Sequence, residues 1–185
     1  MILTENEAIA EMQTNQGDRL SDLSKKTPVL VVFLRHFGCQ FCKESMAQLS
    51  KLKPKLAKKE VQLVLVHMSD QKTADAFFDK FHLSGFASVS DPDCRFYTAF
   101  GLTKGSFNQL FGFQTWMKGF SLQIKYGAEI GKHLGDNFQM PGIFMICDGQ
   151  ITCRFIPVQV AERLDYESLI ENCCRPISRL LFAEV

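Results

Sequence analysis

The chain has 185 residues, 46% of them hydrophobic and 22% charged, with a formal net charge of +1. This composition is ordinary for a globular protein with one full core, and so small a charge offers no attraction for nucleic acid or an anionic membrane. No apolar segment has the length of a membrane span, and the N-terminus lacks the basic and apolar regions of a secretory signal. The 7 cysteines are an odd number, which is a poor fit to a secreted disulfide scaffold and favours a cytoplasmic protein.

The first thirty or so residues are expected to form a helical extension and then a strand. Thr4 and Glu7 have the spacing of a capping box, which predicts a helix to about Gln13 within an N-terminal extension over residues 1–19. The continuous apolar run Val29–Leu34 predicts a strand that is covered on both faces.

Helix and strand signals alternate further along the chain. Apolar residues recur at helical intervals from Cys39 to Leu56, and Pro54 is expected to kink or end that helix. Val61–Met68 predicts a second buried strand, and Lys72–Leu83 predicts a helix. The inward side chains of the helix over Lys72–Leu83 are expected to be Ala76, Phe77 and Phe81.

The sequence after residue 87 predicts a third strand, an insertion and a hairpin. Ser88–Pro92 reads as a strand that runs into a turn, and Cys94–Phe100 as a short helix. Residues 103–137, rich in glycine and aromatic residues, form the insertion; Asp148-Gly149 then predicts a two-residue hairpin turn, and Asp165–Cys173 a last helix. The order predicts a single α/β domain over the whole chain, with a mixed β-sheet flanked by helices and the insertion before the C-terminal hairpin.

Two cysteines are the main candidates for reactive residues in this sequence. Cys39 and Cys42 follow the first strand and a short turn, and helix-like sequence follows them. A thiol in the first turn of a helix lies near unpaired backbone N–H groups and the positive end of the helix dipole. That setting favours the thiolate, which is the reactive form, and Cys42 is close enough to close a disulfide. The spacing therefore predicts thiol redox chemistry.

Two other interpretations of this pair stay open: buried structural thiols, or half of a metal site. A structural zinc site needs four ligands, and Cys147 and Cys153 are candidates for the second pair. With a two-residue turn, residue 147 pairs with 150 and residue 144 with 153. Cys147 and Cys153 are then expected on opposite faces of the sheet, where they neither share an ion nor bond to each other.

The remaining cysteines and histidines give weaker signals. Cys94 is a second candidate for a resolving thiol, Cys173 is expected to face inward on the last helix, and Cys174 is expected to be incidental. His67, His82 and His133 are too scattered to predict a metal site. The aromatic residues around Trp116 are expected to pack the insertion onto the body, where it could form a wall over Cys39.

The block Phe33–Glu44 resembles the redox turn of the thioredoxin superfamily, and most closely that of its peroxiredoxin-like branch, the AhpC/TSA group. Ser90–Pro92, Tyr97 with Gly101, and Gln139–Gly142 support the resemblance. The similarity covers roughly residues 20–174. It implies a thioredoxin-like fold.

The resemblance also implies residue roles. Cys39 is the nucleophile and Cys42 the resolving thiol, with no cofactor and with a thiol reductant such as thioredoxin or glutathione as partner. Pro141 matches the cis-proline that faces the cysteine pair in thioredoxins. Met140, which precedes it, is then expected to offer backbone groups to a bound thiol or peptide.

Two departures from the family patterns concern the substrate. His36 stands where peroxiredoxins have a threonine that helps to hold the peroxide, and no arginine occurs between Gln139 and Cys147, where peroxiredoxins have one. Gln40-Phe41, between the cysteines, differs from the thioredoxin pair. The groups that hold a peroxide are therefore missing or replaced.

Arg35 and His36 stand directly before the redox turn. A cation near Cys39 favours its thiolate, and His36 could carry a proton to a leaving thiol. The alternative is that both are solvated residues at the end of a strand.

Together these observations predict a peroxiredoxin-like antioxidant, an oxidoreductase that acts on a hydroperoxide through Cys39 and Cys42. One alternative is a thioredoxin-like thiol-disulfide oxidoreductase that acts on protein disulfides. Another is a non-enzymatic binding or redox-sensor module. The sequence does not indicate an oligomeric state.

Overall fold

The computed structural model describes residues 3–106, 135–159, 162 and 165–173. Most of the predicted insertion, residues 107–134 with Trp116 and His133, lies outside the described residues, as does Cys174. Within the described part of the chain, no helix is both long and apolar enough to cross a membrane.

Two short helices precede the sheet. Helix α1 (Glu5–Glu11) begins at the predicted capping box, in which Thr4 Oγ1 accepts from the Glu7 N–H at 3.3 Å and the Glu7 carboxylate accepts from the Thr4 N–H at 2.8 Å. It ends two residues before the predicted boundary. Helix α2 (Leu20–Lys26) was not predicted, because it is only 7 residues long and has no side-chain cap to mark its start.

In the described part of the chain, five strands form one mixed sheet, as predicted. They are β1 (Val29–Phe33), β2 (Gln62–His67), β3 (Ala87–Ser90), β4 (Gly142–Cys147) and β5 (Gln150–Phe155). The spatial order is β3-β2-β1-β4-β5. Strands β1, β2 and β3 are parallel, whereas β4 runs antiparallel to both β1 and β5. The central strand β1 is completely buried, which explains its continuous apolar sequence.

Among the described residues, five further helices flank the sheet: α3 (Gln40–Lys51), α4 (Lys53–Lys58), α5 (Gln71–Lys80), α6 (Arg95–Ala99) and α7 (Tyr166–Cys173). The helix that follows the cysteine pair ends just before Pro54, which lies in the first turn of α4, where its missing N–H costs nothing.

The prediction of the inward face of α5 was wrong in part. Ala74 and Phe78 are its buried residues, while Ala76 is exposed and Phe77 and Phe81 are only partly buried. Packing against the sheet decides which side of α5 faces inward. Because several apolar residues follow one another in this helix, the sequence alone leaves the inward side ambiguous.

Alternating side chains of the strands pack into two hydrophobic cores, one on each face of the sheet. Leu30 and Val32 point to the face covered by α3, α5 and α7, where both cysteines of the pair are buried. Val31 and Phe33 point to the opposite face, which α1, α2 and α6 cover. The cysteine pair thus follows the end of β1 and lies in the core on the α3 side of the sheet.

The hairpin contains a β-bulge that the sequence did not predict. Cys147 pairs with Gln150 as expected, but the register then shifts and Met145 faces Cys153. The extra residue on β5 reverses the alternation of its side chains. The prediction that Cys147 and Cys153 lie on opposite faces was therefore wrong, and both pack against the core that contains Cys42.

The bulge brings Cys153 to the last helix. Cys153 and Cys173 form a disulfide with a Cα–Cα distance of 5.9 Å. Cys173 does face inward, as predicted, but its partner was not foreseen, because the pairing depends on the shifted register.

Candidate functional site

Cys39 and Cys42 lie at the start of α3, directly after the buried strand β1. Cys39 is the N-cap residue of the helix, and its N–H donates to the His36 carbonyl at 3.0 Å. Cys42 lies in the first turn. Both are free thiols, and both side chains are largely shielded from solvent, with 7% and 3% exposed. The cap position places the Cys39 sulfur at the positive end of the helix dipole.

The Arg35 side chain is folded back onto Cys39. Its Nη1 donates to Cys39 Sγ at 3.0 Å. Its Nε donates to the Gln139 carbonyl at 3.2 Å, and Nη2 donates to the carbonyl of Asn137. The residue is buried, with 7% of its surface exposed. The guanidinium is thus buried, bonded to two carbonyls and aimed at the Cys39 sulfur, so Arg35 is not a solvated strand-end residue.

The carbonyls that hold Arg35 belong to a short segment, residues 136–140, which is bonded to residues 102–105. The Gly105 N–H donates to the Phe138 carbonyl at 2.7 Å, and the Gln139 side chain donates to the Leu102 carbonyl at 2.6 Å. Lys104 and Asp136 form an ion pair at 2.7 Å. These bonds fix the position of the segment and therefore the direction of the guanidinium.

Cys42 lies in a different environment from Cys39. Its Sγ is 3.5 Å from the Arg35 carbonyl, to which it donates. Burial raises the pKa of Cys42 well above its usual range, and the neighbouring Cys39 raises it further. Cys42 is therefore held as a protonated thiol. This difference between the two environments suits a nucleophile at Cys39 and a second thiol beside it that stays protonated.

A small pocket opens beside Cys42, between α3, the start of β4 and the β5–α7 connection. Cys39 is not among its lining residues. The described residues that line it are Val32, Phe33, Leu34, Arg35, Phe41, Cys42, Glu44, Ser45, Gln48, Pro141, Pro157, Glu162 and Tyr166. The site thus has an Arg35 side around Cys39 and a pocket side around Cys42.

The other predicted site residues have mixed outcomes. The described residues contain no cis peptide bond, so Met140–Pro141 is trans and the cis-proline prediction was wrong. Pro141 nevertheless borders the pocket next to Cys42. The Met140 N–H donates to the Thr103 carbonyl at 3.3 Å, and so it is not open to a bound peptide. His36 is half-buried and contributes its carbonyl to the turn.

Of the other free cysteines, Cys94 lies apart from the pair. Cys94 packs against the core on the opposite face of the sheet from Cys42. Its pKa is raised to about 11, mainly by burial and next by the charge of Asp91. Neither observation favours Cys94 as a resolving thiol. In the described ranges, no three His, Cys, Asp or Glu side chains gather into a possible metal site.

Sequence reasoning missed three contributors to the site. Asn137 and Gln139 act through backbone carbonyls, which carry no side-chain signal. Lys43, directly after Cys42, is only 3% exposed, and its charge opposes the rise in the pKa of Cys42. A lysine is rarely so buried, but nothing in the local sequence shows its burial.

The AhpC/TSA family model matches residues 7–151. The chain belongs to the AhpC/TSA family. Among solved structures, a peroxiredoxin 6 of Arenicola marina superposes with a TM-score of 0.59 at 11% identity, covering 86% of this chain and 66% of that one. A peroxiredoxin Q of Xanthomonas campestris gives a TM-score of 0.55 at 20% identity, covering 83% and 85%. At these identities the likeness shows the fold alone, which is thioredoxin-like as expected.

Two curated proteins match shorter segments. A prostamide/prostaglandin F synthase of Salmo salar is 44% identical over 51 residues, covering 28% of this chain and 26% of that protein. The thioredoxin-like protein AAED1, chloroplastic, of Arabidopsis thaliana is 31% identical over 86 residues, covering 46% and 34%. The chain therefore matches only a quarter to a third of the length of these relatives. The AhpC/TSA assignment supports a thiol-dependent redox function and oxidoreductase activity in general.

Proposed function

We propose that this protein is a thiol-dependent peroxide reductase in which Cys39 is the nucleophile and Cys42 the resolving thiol. The observation that carries the proposal is the 3.0 Å contact from Arg35 Nη1 to Cys39 Sγ. It supplies a cation at the reacting sulfur, although the strand after Pro141 contains no arginine in the position known from peroxiredoxins.

In the first step the Cys39 thiolate attacks one peroxide oxygen and the O–O bond breaks. Cys39 becomes a sulfenic acid, and the other oxygen leaves with a proton as water or an alcohol. The Arg35 guanidinium stabilises the thiolate and the negative charge that develops on the peroxide oxygens. His36, next to the turn, is our candidate for the proton donor.

In the second step the Cys42 sulfur attacks the Cys39 sulfenic acid. A Cys39–Cys42 disulfide forms, and the sulfenic oxygen leaves as water with the Cys42 proton. Two equivalents of an external thiol, or one dithiol, then restore both thiols by exchange through a mixed disulfide. We propose thioredoxin or glutathione as this reductant, without a further cofactor.

A second candidate is a thiol-disulfide oxidoreductase, favoured by one observation. His36 stands where peroxiredoxins hold the peroxide with a threonine hydroxyl. In this reaction the Cys39 thiolate attacks a substrate disulfide, and Cys42 resolves the mixed disulfide.

One experiment separates the candidates. The reduced protein is treated with one equivalent of hydrogen peroxide or with a disulfide substrate, and its mass is followed over time. Rapid loss of two hydrogens with peroxide, replaced by a trapped sulfenic acid in Cys42→Ser, supports the peroxide reductase. Indifference to peroxide with rapid reduction of the disulfide supports the oxidoreductase, and no reaction with either leaves a binding or sensor module. A prostaglandin substrate belongs in the panel because one relative is a prostamide/prostaglandin F synthase.

The cytoplasm is our proposal for the compartment. It rests on the odd number of cysteines and on the four that are free among the described residues, Cys39, Cys42, Cys94 and Cys147. Cell fractionation tests it, and recovery of the protein from an oxidising compartment would overturn it.

A further inference from the structure

The Cys153–Cys173 disulfide joins the edge strand β5 to the last helix, α7. It has no part in the chemistry proposed for Cys39 and Cys42. Its position nevertheless connects it to that site, because described residues between the bridged cysteines form one wall of the pocket beside Cys42.

That wall consists of Pro157, Glu162 and Tyr166. All three lie between the bridged cysteines, whose sequence separation is 20 residues. Tyr166 is 2% exposed and packs in the same core as Cys42. The burial that raises the pKa of Cys42 therefore depends in part on α7 staying in place.

Among the described residues, α7 is held in part by its own apolar side chains. Tyr166 and Ile170 are buried, and Leu169 is partly buried against the same core. Lys55 reaches two of its carboxylates, Glu167 at 3.0 Å and Glu171 at 2.6 Å, but these ion pairs are at the surface and contribute little. The 8 described residues of α7 bury only a small apolar face, so the covalent link to β5 contributes to holding the helix in place.

We propose that Cys153 and Cys173 form a second redox centre, whose disulfide holds α7 over Cys42 and whose reduction exposes the Cys42 sulfur. The reductant is a dithiol. One of its thiolates attacks a sulfur of the bridge, a mixed disulfide forms, and its second thiolate releases the protein. The dithiol is oxidised to a disulfide, and Cys153 and Cys173 become two thiols.

This inference rests on the proposed function, because it regulates the access of an external thiol to the resolving cysteine. With the bridge closed, Cys42 can react with Cys39 but is shielded from solvent. With the bridge open, α7 moves away more often and the pocket side of the site is accessible. The reducing state of the surroundings thus controls how fast the Cys39–Cys42 disulfide is recycled.

The test uses the full chain with Cys39→Ser, so that Cys42 has no partner and its reactivity does not depend on peroxide chemistry. The alkylation rate of Cys42 by N-ethylmaleimide is measured by peptide mass spectrometry before and after reduction of the bridge with dithiothreitol. The control variant combines Cys39→Ser with Cys153→Ser, which removes the bridge. Cys153 is replaced rather than Cys173, because Cys174 adjoins Cys173 and could take its place in the bridge. Cys94, on the other face of the sheet, is an internal reference.

We expect reduction to accelerate Cys42 alkylation at least about tenfold, since a bridge that closes a loop of this length shifts an opening equilibrium by roughly a hundredfold. The Cys153→Ser control should have the fast rate with or without dithiothreitol, and Cys94 should not change. An unchanged Cys42 rate overturns the proposal, as does an equal rise at Cys94, which would mean general loosening. Failure of Cys39 to react with peroxide in the unmodified chain would instead overturn the proposed function.

Discussion

Arg35 and Gln139 are 104 residues apart in the chain, yet Arg35 Nε donates to the Gln139 carbonyl at 3.2 Å. This bond turns the guanidinium so that Nη1 faces Cys39 Sγ. A long flexible side chain is thereby held in one orientation before any substrate arrives. Such preorganisation is what makes a cation effective at a reacting atom.

Replacement of Arg35 tests this arrangement. Arg35→Met should slow the oxidation of Cys39 by peroxide about 100-fold, because a charged donor to the reacting atoms is lost. Arg35→Lys should lie between Met and wild type, since it keeps the charge but not the fork that bonds the sulfur and the carbonyls together. The rates are followed by mass spectrometry, with thiolate absorbance as a second readout. A wild-type rate in Arg35→Met would remove Arg35 from the mechanism.

Cys42→Ser tests the resolving role. The variant should react with the first equivalent of peroxide at a rate close to wild type, because Arg35 and the helix start are unchanged. With excess peroxide it should accumulate sulfinic acid at Cys39, since no thiol captures the sulfenic acid. Dimedone labelling and peptide mass spectrometry measure both products. Cys94→Ser is the matched control, and over-oxidation in that variant instead would assign resolution to Cys94.

Tyr97 supports the end of β1 from the opposite core. Its buried hydroxyl donates to the Leu34 carbonyl at 2.6 Å and lies 3.1 Å from the Val66 carbonyl. Tyr97→Phe should lower the free energy of unfolding by about 1–2 kcal/mol, because a buried carbonyl loses its donor. Denaturant unfolding measures this. Thr98→Val, which removes an exposed hydroxyl from the same helix, should change stability by less than about 0.5 kcal/mol.

His67 should make stability depend on pH. The residue is fully buried near the rings of Phe37 and Phe78, and burial lowers its pKa from 6.5 to about 4, against contacts with Ser69 and Gln71 that raise it. As the pH falls from about 6.5 to 4, the unfolded chain binds a proton that the folded chain does not. The free energy of unfolding should therefore fall by about 3 kcal/mol over this window and then level off.

The variant His67→Phe isolates this effect from the carboxylates that titrate in the same range. The difference in unfolding free energy between variant and wild type should grow as the pH falls from about 6.5 and become constant below 4. A difference that does not vary with pH would show that the His67 pKa is not lowered in the folded state.

The local features of this protein are readable in its sequence. The capping box of α1, the buried strand β1, the break at Pro54 and the cysteine pair at a strand–helix junction all depend on residues within one or two turns of each other. Local hydrogen-bonding geometry and the spacing of the hydrophobic residues determine whether these features form. For the same reason the strand order along the chain was sufficient to predict a mixed sheet.

The features that depend on distant residues were not readable. The guanidinium of Arg35 is aimed by carbonyls of Asn137 and Gln139, and any residue type would offer a carbonyl there. One bulge residue in β5 moved Cys153 to the other face of the sheet, and only then could it meet Cys173. Register and backbone donors are settled when elements pack, because neither a shifted pairing nor a carbonyl direction has a signature in the local sequence. Local sequence therefore pointed to Cys39 as the proposed nucleophile. Packing alone decided which charged side chain contacts Cys39 and which helix covers Cys42.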